Sequence, residues 1–393
     1  MKIYLIAYGC EPHQGGEHQV GWKLANYLND GCELEVITRI SNKKLIEENN
    51  NKNINFTFIE NDLGMKFKPK GKFSYFYYLF WQISTYNYLK RTVNKDDIVH
   101  YVTFGNIHLP QFLFLLKSKL VLGPMGGGSL VDYKMMRNSS TKLKMKSIVH
   151  KFINFTAKVN PIYLYTYYKS NKIILRTNET KCLIPKIFHK KCEIFLETGI
   201  ETENITFVQK ERKLNKVITT ARIIESKNIN QVIEIFNYLN DYYNNDLELL
   251  IIGDGPEKKT LEKKNKENLS VKFLGKVSHE KINDYLQSSD LFLFCSIKEG
   301  GSHSLFEAAI NNIPIACYSI SGMTVFPSND SSIKIEPTHN IDENIKKLSE
   351  KIIEKFEKKE INEICEKSIK NLKDNYDWNQ INTKIQKIYK DIK

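Results

Sequence analysis

Twice along this chain, short runs of β-branched and other apolar residues alternate with stretches of helical spacing, and the second series starts afresh after a polar interval at 201–215. The first series predicts strands at Lys2–Tyr8, Glu33–Thr38, Ile54–Ile59, Ile98–Phe104, Lys119–Gly123, Lys172–Arg176 and Glu193–Leu196, with a helix at Val20–Leu28. Most of these runs lack strict polar–apolar alternation, as strands buried on both faces of a parallel sheet do. The second series predicts strands at Val217–Thr220, Leu247–Ile252, Val271–Leu274, Leu291–Cys295 and Ile313–Tyr318. Between them lie helices at Ile229–Tyr242, Lys258–Glu267, Ile282–Ser288 and about Ser304–Asn311. Strands separated by single helices make βαβ units, so two such series in 393 residues predict two doubly wound α/β domains. The interval 201–215 is expected to be an exposed linker, with ligands bound where the carboxyl ends of the two sheets face each other. From Ile341 onward the chain reads as helical, and Trp378, Ile381, Ile385, Ile388 and Tyr389 recur at spacings of three and four.

Composition narrows the setting. No stretch reaches the ~20 consecutive apolar residues of a membrane span; the most apolar, Leu109–Leu122, is broken by Gln111, Lys117 and Lys119. The amino terminus lacks the cleavage-site pattern of a signal peptide and reads as a first strand. Seven cysteines, an odd number without a CxxC pair, argue against a disulfide framework or a zinc site and for a reducing, cytoplasmic setting. The net charge of +13 is concentrated. Residues 63–95 carry seven basic side chains and no acid, and residues 133–178 carry ten and no acid. Lys66, Lys68, Lys70 and Lys72 open the first window; Lys142, Lys144 and Lys146 stand in the second. Both windows are rich in aromatics, among them Phe73, Tyr75, Tyr77, Tyr78, Trp81, Tyr163 and Tyr165. Cationic stems interleaved with aromatic rings suit an anionic membrane surface; they are also compatible with a basic shell over an aromatic core. No nucleic-acid-binding module is present, so nucleic acid is not an expected partner.

The chemistry-bearing residues cluster at predicted strand ends. In "EGGSHSLFE", Glu299 lies in a loop and Glu307 one to two turns into the next helix. Gly300, Gly301, Ser302 and Ser304 between them let the backbone approach a ligand, and the helix start offers N–H groups to an anion. Alone, the segment reads more simply as a solvated loop carboxylate and a surface helix carboxylate. Its company gives it weight. "TTARIIESKN" puts Arg222 at a strand end and Lys227 in the loop beyond, and "LLIIGDGPEKKTLE" puts Gly253 and Gly255 at the next strand end. Gly253 and Gly255 lack the third glycine of a dinucleotide fingerprint, and Pro256 follows.

This succession over residues 217–317 resembles the donor-binding domain of the large retaining GT-B glycosyltransferases of the family 4 type. "GCEPHQGGEHQVGW" near the amino terminus, "GPMGGG" at 123–128 and "NYDWNQI" at 375–381 resemble its exopolysaccharide, capsule and O-antigen branch. The resemblance implies a GT-B fold, two Rossmann-like domains facing across a cleft. Residues 1–205 would form the acceptor side, 206–375 the donor domain, and 376–393 a helix returning to the first domain. It implies that Glu307 holds the ribose hydroxyls, and that Glu299 with the amides around Gly300 and Gly301 holds the donor sugar. Arg222 and Lys227 would neutralise the diphosphate, and Gly15 and Gly16 would turn amides onto its distal phosphate. Gly253, Gly255, Ser302, His303 and Ser304 complete the implied donor-binding set. A departing nucleoside diphosphate can be stabilised by such fixed positive charges and dipoles, so no metal and no cofactor is expected.

The sequence departs from the family's usual pattern at Ala221, Gly301 and His303. His303 could touch the sugar or cap the helix. A histidine common after the fifth strand is missing, and amides of Gly126 and Gly127 are expected in its place; His100 reads as a core histidine and His108 as a loop residue. The expected reaction is retaining hexosyl transfer from a nucleotide sugar to a lipid-linked or other glycan acceptor at the inner membrane face. A nucleotide-sugar epimerase of the same fold, or a catalytically silent scaffold subunit, are the alternatives.

Overall fold

Both runs of apolar segments form parallel sheets in the computed structural model, which describes residues 2–12, 16–60, 74–137 and 139–392. The chain divides into two units: Met1–Gly128, Ile153–Gly199 and Trp378–Lys393 make the first, Ser129–Phe152 and Ile200–Asp377 the second. The chain passes between units at Gly199/Ile200, not at 205/206, and residues 129–152 group with the second unit.

In unit one, β1 (Ile3–Ala7), β2 (Leu34–Arg39), β3 (Asn55–Ile59), β4 (Ile98–Thr103), β5 (Lys119–Met125), β6 (Lys172–Leu175) and β7 (Cys192–Ile194) are ordered β3-β2-β1-β4-β5-β6-β7. α1 (Glu17–Leu28) and α13 (Trp378–Asp391) cover one face, where Ile3, Leu5 and Ala7 meet Leu24, Trp378 and Ile385. α3 (Ser74–Thr92) supplies the other face: Tyr4, Ile6 and Tyr8 pack with Tyr77, Tyr78 and Trp81. The ring of Tyr8 lies 5.1 Å from those of both Tyr78 and Trp81, edge-on. These aromatics of the first basic window are therefore core, with Trp81 0% exposed, and are not available to a membrane. Burial of the sheet face outweighs any interfacial role, because each ring removes a large apolar area from water. Tyr75 and Phe76 remain exposed; Lys66, Lys68, Lys70, Lys72 and Phe73 lie outside the described residues.

In unit two, β8 (Lys216–Thr220), β9 (Glu248–Ile252), β10 (Val271–Gly275), β11 (Leu291–Phe294), β12 (Ile315–Tyr318) and β13 (Ile333–Ile335) are ordered β10-β9-β8-β11-β12-β13. α7 (Ile229–Tyr242), α8 (Lys258–Lys264), α9 (His279–Gln287) and α10 (His303–Ile310) alternate with them, followed by α11 (Ile341–Glu357) and α12 (Ile361–Asn375). Ile235, Phe236 and Leu239 of α7 and Leu348 and Ile352 of α11 share one core with the strands. The interval 201–215 is not a free linker. Ile205 and Leu214 are buried, the Thr202 hydroxyl donates to Asp377 Oδ2 at 2.6 Å, and Arg212 donates to Asn362 Oδ1 at 3.0 Å and the Asn312 carbonyl at 2.9 Å. Polar residues there tie the segment to unit two, so polarity did not mean solvent.

His100, at the centre of β4, is fully buried. Its Nε2 donates to the Gly123 carbonyl at 2.9 Å, which leaves Nδ1 to accept from the Tyr389 hydroxyl at 2.6 Å. Burial pushes its pKa down to about 4, from an ordinary 6.5. Between those values the unfolded chain takes up a proton that the folded chain refuses, so stability falls as pH falls through this window. The loss amounts to about 3 kcal/mol by pH 4. Denaturant titrations at pH 7 and pH 4.5 should show a steeper loss for the native chain than for His100→Gln; equal losses would refute the assignment.

Candidate functional site

Each sheet reverses its strand order once, at β1/β4 and at β8/β11, and the carboxyl ends of strands at such a reversal open a crevice for ligands. In unit two, β8 and β11 are neighbours, paired at Val217–Leu291 and Ile218–Phe292. The loop after β8 carries Arg222 and Lys227; the loop after β11 carries Glu299. The sheet thus brings together residues more than seventy positions apart.

The two loops are fastened to each other. The Ile297 amide donates to the Ser226 carbonyl at 3.0 Å, and the Ser296 hydroxyl to the same carbonyl at 3.3 Å. Lys227 ends a short 3-10 turn, Glu225–Lys227, closed by Asn228 in the left-handed region (φ 54°). Its ammonium forms an ion pair with Glu299 Oε2 and stands 5.5 Å from the centre of the buried Phe294 ring. The loop after β12 closes on the same place, where the Gly322 amide donates to the Glu299 carbonyl at 2.8 Å. Glu299 is therefore held at backbone and side chain alike. Gly300 is exposed, with open space where a Cβ would stand.

α10 starts directly beyond. Its N-cap is Ser302, not His303; the Ser302 side chain makes no capping bond and meets the Ser304 hydroxyl at 2.8 Å. His303 is the exposed first residue of the helix, and Glu307, half-buried, lies one turn further on. Gly301, Ser302 and Ser304 are half-buried.

Arg222 is exposed. It lines an open depression of about 610 Å³ with Gly253, Asp254, Gly255 and Lys276. The two glycines there have a structural reason that the sequence did not reveal. Gly253 has φ +139°, and a Cβ on it would lie 1.9 Å from the Ala221 carbonyl oxygen; one on Gly255 would lie 2.1 Å from that of Ile223. The loops after β8 and β9 touch backbone to backbone, through the Ile223 amide donating to the Asp254 carbonyl at 2.9 Å. Gly253 and Gly255 thus set the floor under Arg222.

Two cations escaped the sequence reading. Lys276 joins Arg222 at the depression, and its position just past a strand end was the available signal. Lys298, next to Glu299, is half-buried, with Nζ 3.3 Å from His150 Nδ1, and burial pushes its pKa below the usual lysine range. Nothing in its sequence context marked that burial.

In unit one, Gly16 takes φ +67° as the N-cap of α1, with open space on its Cβ side. Gly15 lies outside the described residues. The Gly126 amide does not stand in for a missing histidine: it donates to the Gly105 carbonyl at 2.8 Å. Gly127 accepts from His108 Nε2 at 3.1 Å through its carbonyl, which gives His108 a structural place.

Residues 201–374 match the family model described as Glycosyl transferases group 1. The chain carries a glycosyl transferases group 1 domain. That domain takes in every site residue named above in unit two except His150. The capsular polysaccharide biosynthesis glycosyltransferase CapH of Staphylococcus aureus is 25% identical over 238 residues, 58% of this chain and 61% of CapH. Protein CapJ of Staphylococcus aureus is 30% identical over 138 residues, 32% of this chain and 35% of CapJ. The chain thus spans between about a third and three fifths of these relatives. Among solved structures, the lipopolysaccharide outer core galactosyltransferase WaaB superposes with a TM-score of 0.65 at 14% identity, over 98% of this chain and 99% of WaaB. Anabaena HepE in complex with UDP gives 0.62 at 13% identity, over the full length of both chains. The group 1 domain and its companion unit have the GT-B fold.

Proposed function

We propose that this chain is a retaining glycosyltransferase that moves a hexosyl unit from a nucleoside diphosphate sugar to a lipid-linked glycan in surface polysaccharide assembly. The observation that carries the reading is the Lys227–Glu299 pair at the β8/β11 reversal, with Arg222 over the neighbouring depression, inside the matched domain. The name of CapH supports a role in surface polysaccharide assembly, and the UDP held by HepE supports a nucleoside diphosphate donor.

In the reaction the anomeric carbon–phosphate oxygen bond breaks as the acceptor oxygen bonds to the same carbon, and the acceptor proton passes to the departing phosphate. Arg222 and Lys227 hold the charge that grows on the leaving diphosphate, so no metal ion is needed. Lys227 keeps Glu299 in a fixed ion pair. That placement suits a carboxylate that orients sugar hydroxyls better than a free nucleophile, and favours attack from the leaving group's own face. Glu307, one turn into α10, takes the ribose.

Calorimetric titration with UDP, GDP and ADP, in buffer containing EDTA, tests this division of roles. One of the three should bind the native chain. Glu307→Ala should lose tenfold or more of that affinity, and Glu299→Ala less than threefold, since the free nucleotide has no sugar to hold. If none of the three binds, the glycosyltransferase reading fails; equal losses in the two variants would refute the proposed roles.

A further inference from the structure

The second basic window folds into α4 (Thr141–Val159), and this helix is turned inside out. Leu143, Ser147, Asn154 and Ala157, mostly small or polar, are its buried residues. The Ser147 hydroxyl donates to the Val131 carbonyl at 3.0 Å, and the Asn154 amide to the Gly128 carbonyl at 3.0 Å, so this face is anchored by hydrogen bonds. Large apolar residues stand on the other side. Met145, Ile148, Val149, Phe152, Phe155 and Val159 are all more than half exposed, and Phe152 reaches 68%. Their spacings of three and four make a single stripe along the helix. In an ordinary surface helix the stripe faces the core and the polar residues face water; here the order is reversed.

The charges beside the stripe say what covers it. At 100° per residue, Lys142 and Lys146 fall on one flank of the stripe and Lys144, Lys151 and Lys158 on the other. The helix has no acidic residue. A protein partner would need a matching apolar groove with acids on both rims, and a second copy of this helix would set lysines against lysines. A bilayer surface with anionic headgroups meets both features at once: the stripe enters the acyl boundary, and long lysine stems reach out to the phosphates. Among the described residues no helix is long and apolar enough to cross a membrane, so α4 would lie in the membrane plane.

We infer that α4 is an in-plane membrane-inserting helix that enters an anionic bilayer through Ile148, Val149, Phe152 and their stripe. This rests on the reading of a lipid-linked acceptor and deepens it, because the apolar contact, not the basic charge alone, holds the protein at its substrate.

The test uses the full chain with vesicles of phosphatidylglycerol and phosphatidylcholine, and of phosphatidylcholine alone. Ile148→Ser with Phe152→Ser should lower co-sedimentation with the mixed vesicles at least tenfold. A Phe152→Trp variant should show added emission that shifts to the blue on mixed vesicles and is quenched by lipids brominated on their acyl chains. Reversing Lys142, Lys144 and Lys146 to Glu should also weaken binding. Binding that depends on those lysines but survives the serine pair, with the added indole emission unquenched, would show attachment by charge only and overturn the insertion. A native dimer that the serine pair converts to a monomer in sedimentation velocity would overturn it in favour of self-association. Nucleotide titration of the serine pair should match the native chain within twofold. A native chain that inserts but binds no nucleoside diphosphate would sink the enzymatic reading and leave this one standing.

Discussion

Alanine at Lys227 or at Arg222 is expected to lower turnover by about 10²-fold or more, which corresponds to roughly 3 kcal/mol of lost transition-state stabilisation. The two should not behave alike. Arg222 is exposed beside an open depression, and its removal subtracts one positive charge from the leaving group and leaves its neighbours as they are. Lys227 also neutralises Glu299, with both side chains mostly shielded from water. Its removal subtracts the charge and leaves a bare carboxylate at the proposed diphosphate site, so Lys227→Ala should raise KM as well as lower kcat. Glu299→Gln in the Lys227→Ala background should return part of the KM loss while kcat stays low. Such coupling is expected for residues in contact, on the scale of about 0.5–3 kcal/mol. The circular dichroism of both variants should match the native chain. Near-native turnover in Lys227→Ala and Arg222→Ala, or strictly additive effects of Lys227→Ala and Glu299→Gln, would refute the diphosphate assignment.

The strands of both units were legible because parallel strands must be apolar on both faces, and the observed bounds of β1 to β12 fall within about two residues of the expected ones. β13 was not legible: it has three residues, and only its pairing with β12 makes it a strand. The helices α4 and α5 (Pro161–Lys169) were obscured for a different reason. Their apolar residues stand among so many lysines that the sequence shows only a basic, aromatic composition there and gives no sign of which side the protein occupies. The aromatic window at 73–81 misled in the opposite direction, since α3 puts Tyr78 and Trp81 into the core and composition cannot tell an inward ring from an outward one. At the site, Arg222, Lys227 and Glu299 were visible as residues at strand ends. Their pairing was not, because it depends on the strand order that sets β8 beside β11. The close backbone contact that requires Gly253 and Gly255 depends likewise on neighbouring strand ends, which a linear pattern does not record.

Strand order also explains a charge cluster in unit one that the sequence does not announce, and whose loss should cost the most stability. Arg176, just past β6, donates from one guanidinium nitrogen to Glu17 Oε1 and to Glu197 Oε1, both at 2.7 Å. Glu17 in turn accepts the Phe104 amide at 3.0 Å, so one arginine joins the start of α1 to the ends of β4, β6 and β7. Burial pushes the Glu197 carboxyl above the usual range, although Arg176 pulls the other way. Arg176→Met keeps much of the apolar stem and removes the charge, which strands Glu197 in a nearly dry position. Breaking a buried pair from one side costs about 3–5 kcal/mol, and that is the expected loss in denaturant titrations at pH 8. Without Arg176 the Glu197 pKa should rise further. A carboxyl with a raised folded pKa carries no penalty below its unfolded value and a growing one as pH climbs toward the folded value. The deficit of Arg176→Met should therefore be smaller at pH 5.5 than at pH 8. Adding Glu197→Gln should recover more than half of the loss at pH 8, because the amide removes the unpaired charge and keeps the shape. A deficit under about 1 kcal/mol, below the cost of a stranded buried charge, or one equal at both pH values, would mean that water reaches Glu197 and that the cluster does not hold these strand ends together.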